Sequence, residues 1–321
     1  MTLAGKVVLV TGARGFIGSK VCAELRRRGA TVLGLGRTAG EDVDIVHDLT
    51  GGPVPAALLT HQPPDSVIHL AGVIHGSLDA LFAANLTGTR NLFETLAAMP
   101  RKPRAVMVGS ASQFGATSLE CFNLDGEAPQ RPLGDYGASK TAACAMARAM
   151  SNRHGIDTVT AIPFNVSGPG QPASLVPSAF ASQIAEIEMT GQPGQIGVGN
   201  LGTSRDVTDV RDVARAICDL TTAGEPGHTY SVASGIATKT SELLDMLVAQ
   251  ARVPVTVVPD PARTRQEFIP FQCGDSSELF KTAGWRPEIE LVTSLRDCLD
   301  VWRSRKQQPQ AAGTGSNKKV P

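Results

Sequence analysis

The chain has 321 residues, 42% hydrophobic and 19% charged, with a formal net charge of zero. That length supports a large core and two lobes. The balanced charge offers no electrostatic footprint for nucleic acid or an anionic membrane, and the longest apolar runs fall short of the ~20 residues of a membrane span.

The first apolar run is "KVVLVTG", and it gives a strand without a signal-peptide pattern ahead of it. "RGFIGSKVCAELRRRG" follows with helical periodicity and a glycine stop. "ATVLGLGR" and "SVIHLAG" are two further strands, "ALFAANLTGTRNLFETLAAM" a helix and "RAVMVGSAS" a strand. "YGASKTAACAMARAMSNRHG" is again a helix, followed by the strand "DTVTAIPFNVSG". Strands alternating with helices in this way predict βαβ units and a parallel, doubly wound sheet.

The second half changes character. "FNVSGPGQPASLVPS" reads as a long loop entering a new lobe. "AFASQIAEIEMTG" and "KTSELLDMLVAQARV" are amphipathic helices, the latter with Thr240 and Ser241 as its expected caps. "DVRDVARAICDL" and "HTYSVAS" are a helix and a strand that return to the sheet, and the tail from Gln307 is expected to be disordered. Six cysteines (Cys22, Cys121, Cys144, Cys218, Cys273, Cys298) show no CxxC spacing, and no His/Cys cluster has zinc spacing. Reduced thiols, a cytoplasmic protein and no metal are the expectation.

"VVLVTGARGFIGS" puts Gly12, Gly15 and Gly18 between the first strand and the first helix. Glycine there permits a tight turn and lets backbone N–H groups approach a pyrophosphate at the helix start, where Phe16 and Ile17 lie. A dinucleotide site is the expectation. The second strand ends in Gly36-Arg37, with no acid to accept from a ribose 2′-hydroxyl, and Arg14 is a second cation in the loop. Two arginines suit a 2′-phosphate, so NADP(H) is favoured over NAD(H).

Tyr136 and Lys140 stand four residues apart, on one face of a helix. That spacing fits a surface pair, and it equally fits a proton donor whose pKa a cation holds down.

With "TGARGFIG", "HLAG", "GSASQFG", "YGASK", "PFNVSGPGQ", "SRDVTDVRDVARA" and "GWRPEIELVTSLRD" in place, the chain resembles the extended short-chain dehydrogenase/reductases, in their nucleotide-sugar branch. The match covers about residues 3–303. Within the branch, "PFNVSGPGQ", "SAFASQIAEIE" and "GNLGTSRDVTDVRDV" are most similar to the GDP-4-keto-6-deoxy-D-mannose reductases.

The resemblance implies roles. Tyr136 and Lys140 take the YxxxK positions, with Lys140 holding the nicotinamide ribose and lowering the phenol's pKa, and Ser110 binds the same substrate oxygen. Asp48 and Leu49 touch the adenine, Ala71 and Gly72 line the dinucleotide, and Pro163 sits by the nicotinamide. Ser112, Asn165, Val176 and Arg205 face the sugar nucleotide, and Arg265 with Arg263 meets its phosphates. The resemblance implies a dinucleotide-binding domain over residues 1–165, with 205–235 returning to it. Residues 166–204 and 236–306 form a smaller mixed α/β lobe for the substrate, a nucleotide-diphosphate sugar, and 307–321 a tail. The alanine-rich helix from Tyr136, with the helix over 80–98, implies a homodimer.

Departures narrow the chemistry. The family's 4,6-dehydratases carry Asp-Glu where this chain has Ala111 and Ser112, and no His lies between Asn165 and Ser204. Tyr136 is then the one acid–base group. Simple carbonyl reduction suits that pocket. A 4-epimerase with tightly held NAD is the alternative, and a non-catalytic dinucleotide sensor a further one. Phe114 replaces the family's Tyr, Ile162 the arginine before "PFN", and Gln266 the proline after Arg265.

Overall fold

The computed structural model describes residues 2–119, 123–263 and 269–307. Its strands are β1 (Val7–Thr11), β2 (Thr31–Gly36), β3 (Ile45–Val46), β4 (Ser66–His69), β5 (Arg104–Val108), β6 (Thr158–Pro163), β7 (Asn165–Ser167), β8 (Gly194–Val198), β9 (Ser204–Asp209), β10 (Thr229–Val232), β11 (Ala237–Lys239), β12 (Val255–Pro259) and β13 (Phe271–Gln272). Its helices are α1 (Phe16–Arg27), α2 (Ala57–Thr60), α3 (Leu78–Phe82), α4 (Gly88–Ala98), α5 (Asp135–His154), α6 (Ser178–Thr190), α7 (Val210–Leu220), α8 (Thr240–Val248), α9 (Ser277–Ala283) and α10 (Leu291–Gln307).

Seven strands form one sheet in the order β10-β6-β5-β4-β1-β2-β3, with every neighbouring pair parallel. Strand side chains alternate between faces, so each buried face needs its own apolar set. Val8 and Val10 of β1 pack with Val21, Cys22 and Leu25 of α1 and Val213 to Leu220 of α7. Leu9, between them, joins Leu92, Phe93 and Leu96 of α4 and Ala143, Ala147 and Met150 of α5 on the other side. The sheet is therefore doubly wound. Its strand C-termini lead into Gly12, Ala71, Ser110 and Pro163, the edge where open α/β sheets bind ligands.

A second core gathers Phe180 and Ile184 of α6, Ile196 of β8, Leu244 and Leu247 of α8, and Leu295 and Leu299 of α10. Two segments sit differently from the expected division. β9 stays out of the large sheet and forms a smaller one with β7, β11 and β13, so the chain returns to the large sheet only from Val210. Leu279 of α9 and Trp285 are buried in the large-sheet core. Trp285 Nε1 donates to the Asp212 carbonyl at 3.0 Å, and the Asp212 carboxylate accepts the Glu288 and Ile289 N–H groups, each at 2.9 Å.

Lys239, not Thr240 or Ser241, occupies the cap of α8. Its N–H goes to the Glu242 carboxylate at 3.1 Å, while the Thr240 hydroxyl bonds the Thr203 carbonyl at 3.0 Å. α10 continues through Gln307, and the rest of the expected tail, 308–321, lies outside the described residues. Among the described residues, no helix is long and apolar enough to cross a membrane.

Candidate active site

The glycine turn closes tightly. Gly12 has φ +70°, its N–H donates to the Leu35 carbonyl at 2.9 Å, and Gly15 N–H donates to the Gly12 carbonyl at 2.9 Å. A Cβ at Gly12 would lie 2.9 Å from the Ala71 nitrogen, and one at Gly18 would collide with the Gly12 carbonyl. Phe16 and Ile17 open α1, half-buried behind the turn.

At the end of β2, Arg14 donates to Thr38 Oγ1 at 3.3 Å and the Ala39 carbonyl at 3.0 Å, and Arg37 is exposed. Of the acids that follow, Asp42 pairs with Arg26 and Asp44 accepts the Gly34 N–H at 2.8 Å, while Glu41 is exposed. Asp48 accepts from the Thr50 N–H and hydroxyl, both at 2.9 Å; these bonds, and more weakly Arg37, hold its carboxyl below the usual range. Leu49 is buried beside it.

Ala71 is held by a buried relay. Its N–H donates to Thr11 Oγ1 at 3.1 Å, and Thr11 Oγ1 lies 2.7 Å from His69 Nδ1. His69 Nε2 lies 2.9 Å from Thr89 Oγ1, which donates to the Asn85 carbonyl at 2.5 Å. Each hydroxyl donates once if His69 is neutral with its hydrogen on Nε2. Burial pushes that imidazole down to about 3. Asn85 lies in a π-helical turn, Ala83–Thr87, between α3 and α4. The extra residue of such a turn redirects a side chain. Asn85 brackets Val73, accepting its N–H at 2.9 Å and donating to its carbonyl at 3.0 Å, and donates to Ser139 Oγ at 2.9 Å. Its Oδ1 is also packed against Gly72, where a Cβ would lie 2.6 Å away. Sequence reasoning assigned no role to Asn85 or His69.

Ser110 caps a short 3-10 turn, Ala111–Gln113. Its Oγ accepts the Ser112 N–H at 3.2 Å, and its own N–H donates to Gln113 Oε1 at 2.7 Å. The Ser-x-x-Gln spacing is a capping-box signal and was legible. Tyr136 and Lys140 stand on α5 facing this turn. Burial pushes the Tyr136 phenol up, and a hydrogen bond with Ser110 pulls it part of the way back. The net direction is upward, opposite to the expected lowering by Lys140. The Lys140 ammonium is instead engaged with the Val108 carbonyl at 2.7 Å, and burial pushes its pKa down. Cys144, one turn further, is a buried thiol raised by burial, 3.7 Å from Gln113 Oε1.

Pro163, expected by the nicotinamide, ends β6 in register with Val232, and Asn165 and Ser112, expected at the sugar nucleotide, are exposed. Arg205 donates to the Ser204 carbonyl at 2.8 Å, and burial lowers its pKa; among the described residues no carboxylate pairs with it. It stands in register with Gln272, whose Nε2 donates to the Ala111 carbonyl at 2.9 Å. Arg263 is paired with Asp260 at 3.0 Å, beside β8 and β12. Val176 is exposed just ahead of α6. Arg265 and Gln266 lie outside the described residues. The structure therefore brings Ser110, Tyr136 and Lys140 together and ties Arg205 to their turn through Gln272, whereas Arg263 is already neutralised.

Two departures from the family pattern meet in space. Phe114 and Ile162 are buried in one cluster with Phe164, Ala111, Leu124 and Ala233, and the Phe114 and Phe164 rings stack at 5.9 Å. With Phe and Ile at these two positions, the cluster packed against Ala111 of the Ser110 turn is apolar.

A model of the NAD dependent epimerase/dehydratase family matches residues 8–233. A GDP-6-deoxy-D-mannose reductase of Pseudomonas aeruginosa is 33% identical over 94% of this chain and 98% of its own. A dTDP-6-deoxy-L-talose 4-dehydrogenase (NAD(P)(+)) of Kitasatospora kifunensis is 29% identical over 95% and 97%. The solved structure of RMD from Pseudomonas aeruginosa complexed with NADPH superposes with a TM-score of 0.80 at 31% identity, covering 94% of this chain and all of that one.

Proposed function

The chain belongs to the NAD dependent epimerase/dehydratase family, and from that premise we propose that it is an NADP(H)-dependent reductase of a 4-keto-6-deoxy nucleotide sugar. The observation that carries this reading is that α5 sets Tyr136 against the Ser110 turn, with buried Lys140 bonded to the Val108 carbonyl beside them and no acid at positions 111 or 112. A dinucleotide fits the residues present. The glycine turn offers backbone without side chains at a helix start, and among the described residues no carboxylate forms an ion pair with Arg14 or Arg37.

When bound, the reduced nicotinamide supplies the hydride that the carbonyl carbon receives. Tyr136 gives its phenolic proton to the carbonyl oxygen, leaving an alcohol. Ser110 has its oxygen held by the Ser112 N–H, and on substrate binding its one hydrogen turns from the Tyr136 oxygen to the carbonyl oxygen and orients it. Lys140 positions the nicotinamide ribose and compensates the phenolate left behind. Arg205, half-buried and without an acid partner among the described residues, takes the diphosphate, with Ser112, Asn165 and Val176 around the sugar. Leaving a buried guanidinium unpaired is costly unless an anion arrives. The similarity to a GDP-6-deoxy-D-mannose reductase supports a 6-deoxy sugar on a nucleoside diphosphate.

The same reading makes the large sheet the cofactor domain and the smaller sheet with the α6, α8 and α10 core the substrate lobe. It places the enzyme in the cytoplasm as a homodimer joined through α4 and α5. The decisive experiment incubates purified protein with NADPH and a GDP-4-keto-6-deoxyhexose and follows NADPH oxidation. Formation of the 4-hydroxy sugar from the 4-keto sugar, one per NADPH oxidised, supports the proposal. NAD retained through purification, with interconversion of 4-epimers and no net oxidation, would replace it with the epimerase.

A further inference from the structure

The turn that carries Ser110 is gripped from outside its own domain. The Ala111–Ser112 peptide unit has its N–H on Ser110 Oγ, at 3.2 Å, and its carbonyl on Gln272 Nε2, at 2.9 Å. Gln272 lies 161 residues away in sequence, is 4% exposed, and belongs to the small sheet, in register with Arg205. A peptide unit is planar, so fixing its carbonyl fixes its N–H. A buried amide is costly unless it is bonded, so Gln272 is poorly explained as filler. The Phe114 N–H also reaches the Ala111 carbonyl, at 3.1 Å, but from within the turn, and so moves with it.

We propose that Gln272 is a positioning residue that couples the substrate lobe to the catalytic turn: by holding the Ala111–Ser112 peptide it aims the Ser110 hydroxyl at the reacting oxygen, and a shift of the Arg205 strand moves both. The reaction it serves rests on the reductase reading above; the geometry does not.

The sequence supplies a reporter. It has two tyrosines, so Tyr230→Phe leaves Tyr136 as the sole phenol. Phenolate absorbance against pH, with circular dichroism confirming the fold, then reads the Ser110–Tyr136 bond without substrate. Gln272→Met keeps the length and removes the donor. It should raise the Tyr136 midpoint by about 0.5–1 pH unit, the equivalent of one hydrogen bond. Combined with Ser110→Ala it should add no further shift. With a 4-keto nucleotide sugar, kcat should fall on the order of 10-fold while KM for NADPH stays constant. In Gln272→Glu the protonated carboxyl restores a donor, so its kcat relative to wild type should rise as pH falls, and Gln272→Met should show no such rise.

An unmoved Tyr136 midpoint in folded Gln272→Met overturns the proposal, whether or not thermal stability is lost. A moved midpoint with unchanged kcat also overturns it. If wild type reduces no 4-keto nucleotide sugar, the reductase reading fails, and the phenol titration alone decides the coupling.

Discussion

Lys140 Nζ lies 2.7 Å from the carbonyl oxygen of Val108, the last residue of β5. Ser110 follows two residues later and Tyr136 precedes Lys140 by one helical turn, so this bond fastens the helix with Tyr136 to the strand end with Ser110. Lys140→Met removes both the tether and the cation. NADPH affinity and turnover should fall together, with kcat/KM down on the order of 10²-fold. Isothermal titration with NADPH and steady-state rates check this, and loss of rate at unchanged affinity would leave Lys140 with no hold on the cofactor.

Tyr136→Phe keeps the ring and deletes the proton. A kcat loss on the order of 10²–10⁴ with nearly unchanged NADPH affinity is the expected result. The pH profile carries a sign. Reduction needs the phenol protonated, and burial raises its pKa. The rate of reduction should therefore be level through neutrality and fall only as pH rises through that raised value. Ser110→Ala deletes the bond that pulls the phenol down, so the fall should move to higher pH. A profile of kcat/KM reports the free enzyme and separates these outcomes.

His69 makes stability depend on pH. Its imidazole titrates at about 3 in the fold against an ordinary 6.5. The unfolded chain therefore binds a proton, and the folded chain does not, between those values. Stability is full above about pH 6.5 and declines as pH falls toward 3. Each unit in that window costs about 1.4 kcal/mol, or about 2 kcal/mol between pH 6.5 and 5. Glu24, held at about 2 by its bond to Arg27, contributes only below its ordinary 4.5 and so does not interfere. Urea unfolding at pH 7 and pH 5 should show this loss in wild type and much less in His69→Gln. Equal slopes in the two would mean the histidine is not the source.

The proposed dimer contact would fall on particular alanines. Ala143 and Ala147 are buried against the sheet and α4, whereas Ala145 and Ala149 face solvent in the single chain. Ala145→Glu with Ala149→Glu should therefore turn a dimer into a monomer by light scattering at micromolar protein, with the melting temperature of the cofactor domain retained. A wild-type monomer would remove the assembly proposal.

Local signals were readable in advance because local physics produces them. Strand runs, the glycine turn and the Tyr136–Lys140 spacing each depend on residues within a few positions of one another. The site's supports are different. Gln272 meets Ala111 across 161 residues, and nothing in "PFQCGD" announces that contact. Asn85 faces Ser139 because a π-helical turn shifts the phase of a helix whose periodicity reads as continuous. β9, SRDVTD, has a single apolar residue and no alternation to mark it as a strand, and only its pairing with β7, β11 and β13 makes it one. The pKa of Tyr136 was misjudged for a related reason: spacing to a cation was visible, whereas burial of the phenol was not.

The cofactor preference follows from how the acids after β2 are used. Asp42 is paired with Arg26 and Asp44 with the Gly34 N–H, so neither carboxylate is free to accept from a ribose 2′-hydroxyl. Arg14 meanwhile rests on the neutral oxygens of Thr38 and Ala39, acceptors that a phosphate readily displaces, and Arg37 is exposed beside it. A 2′-phosphate brings up to two negative charges and oxygens suited to a guanidinium fork. Two charge-assisted contacts, weakened by solvent, should favour NADPH over NADH on the order of 30–150-fold. Arg37→Ala should weaken NADPH selectively and leave NADH almost untouched, and the double change with Arg14→Ala should nearly abolish the preference. Titration of both reduced cofactors against the three proteins decides it, at one fixed ionic strength, because salt screens these contacts. Equal affinities in wild type would show both arginines to be solvated. Tight NADH binding that survives Arg37→Ala and purification would go further, since a cofactor never exchanged suits an epimerase and not a reductase.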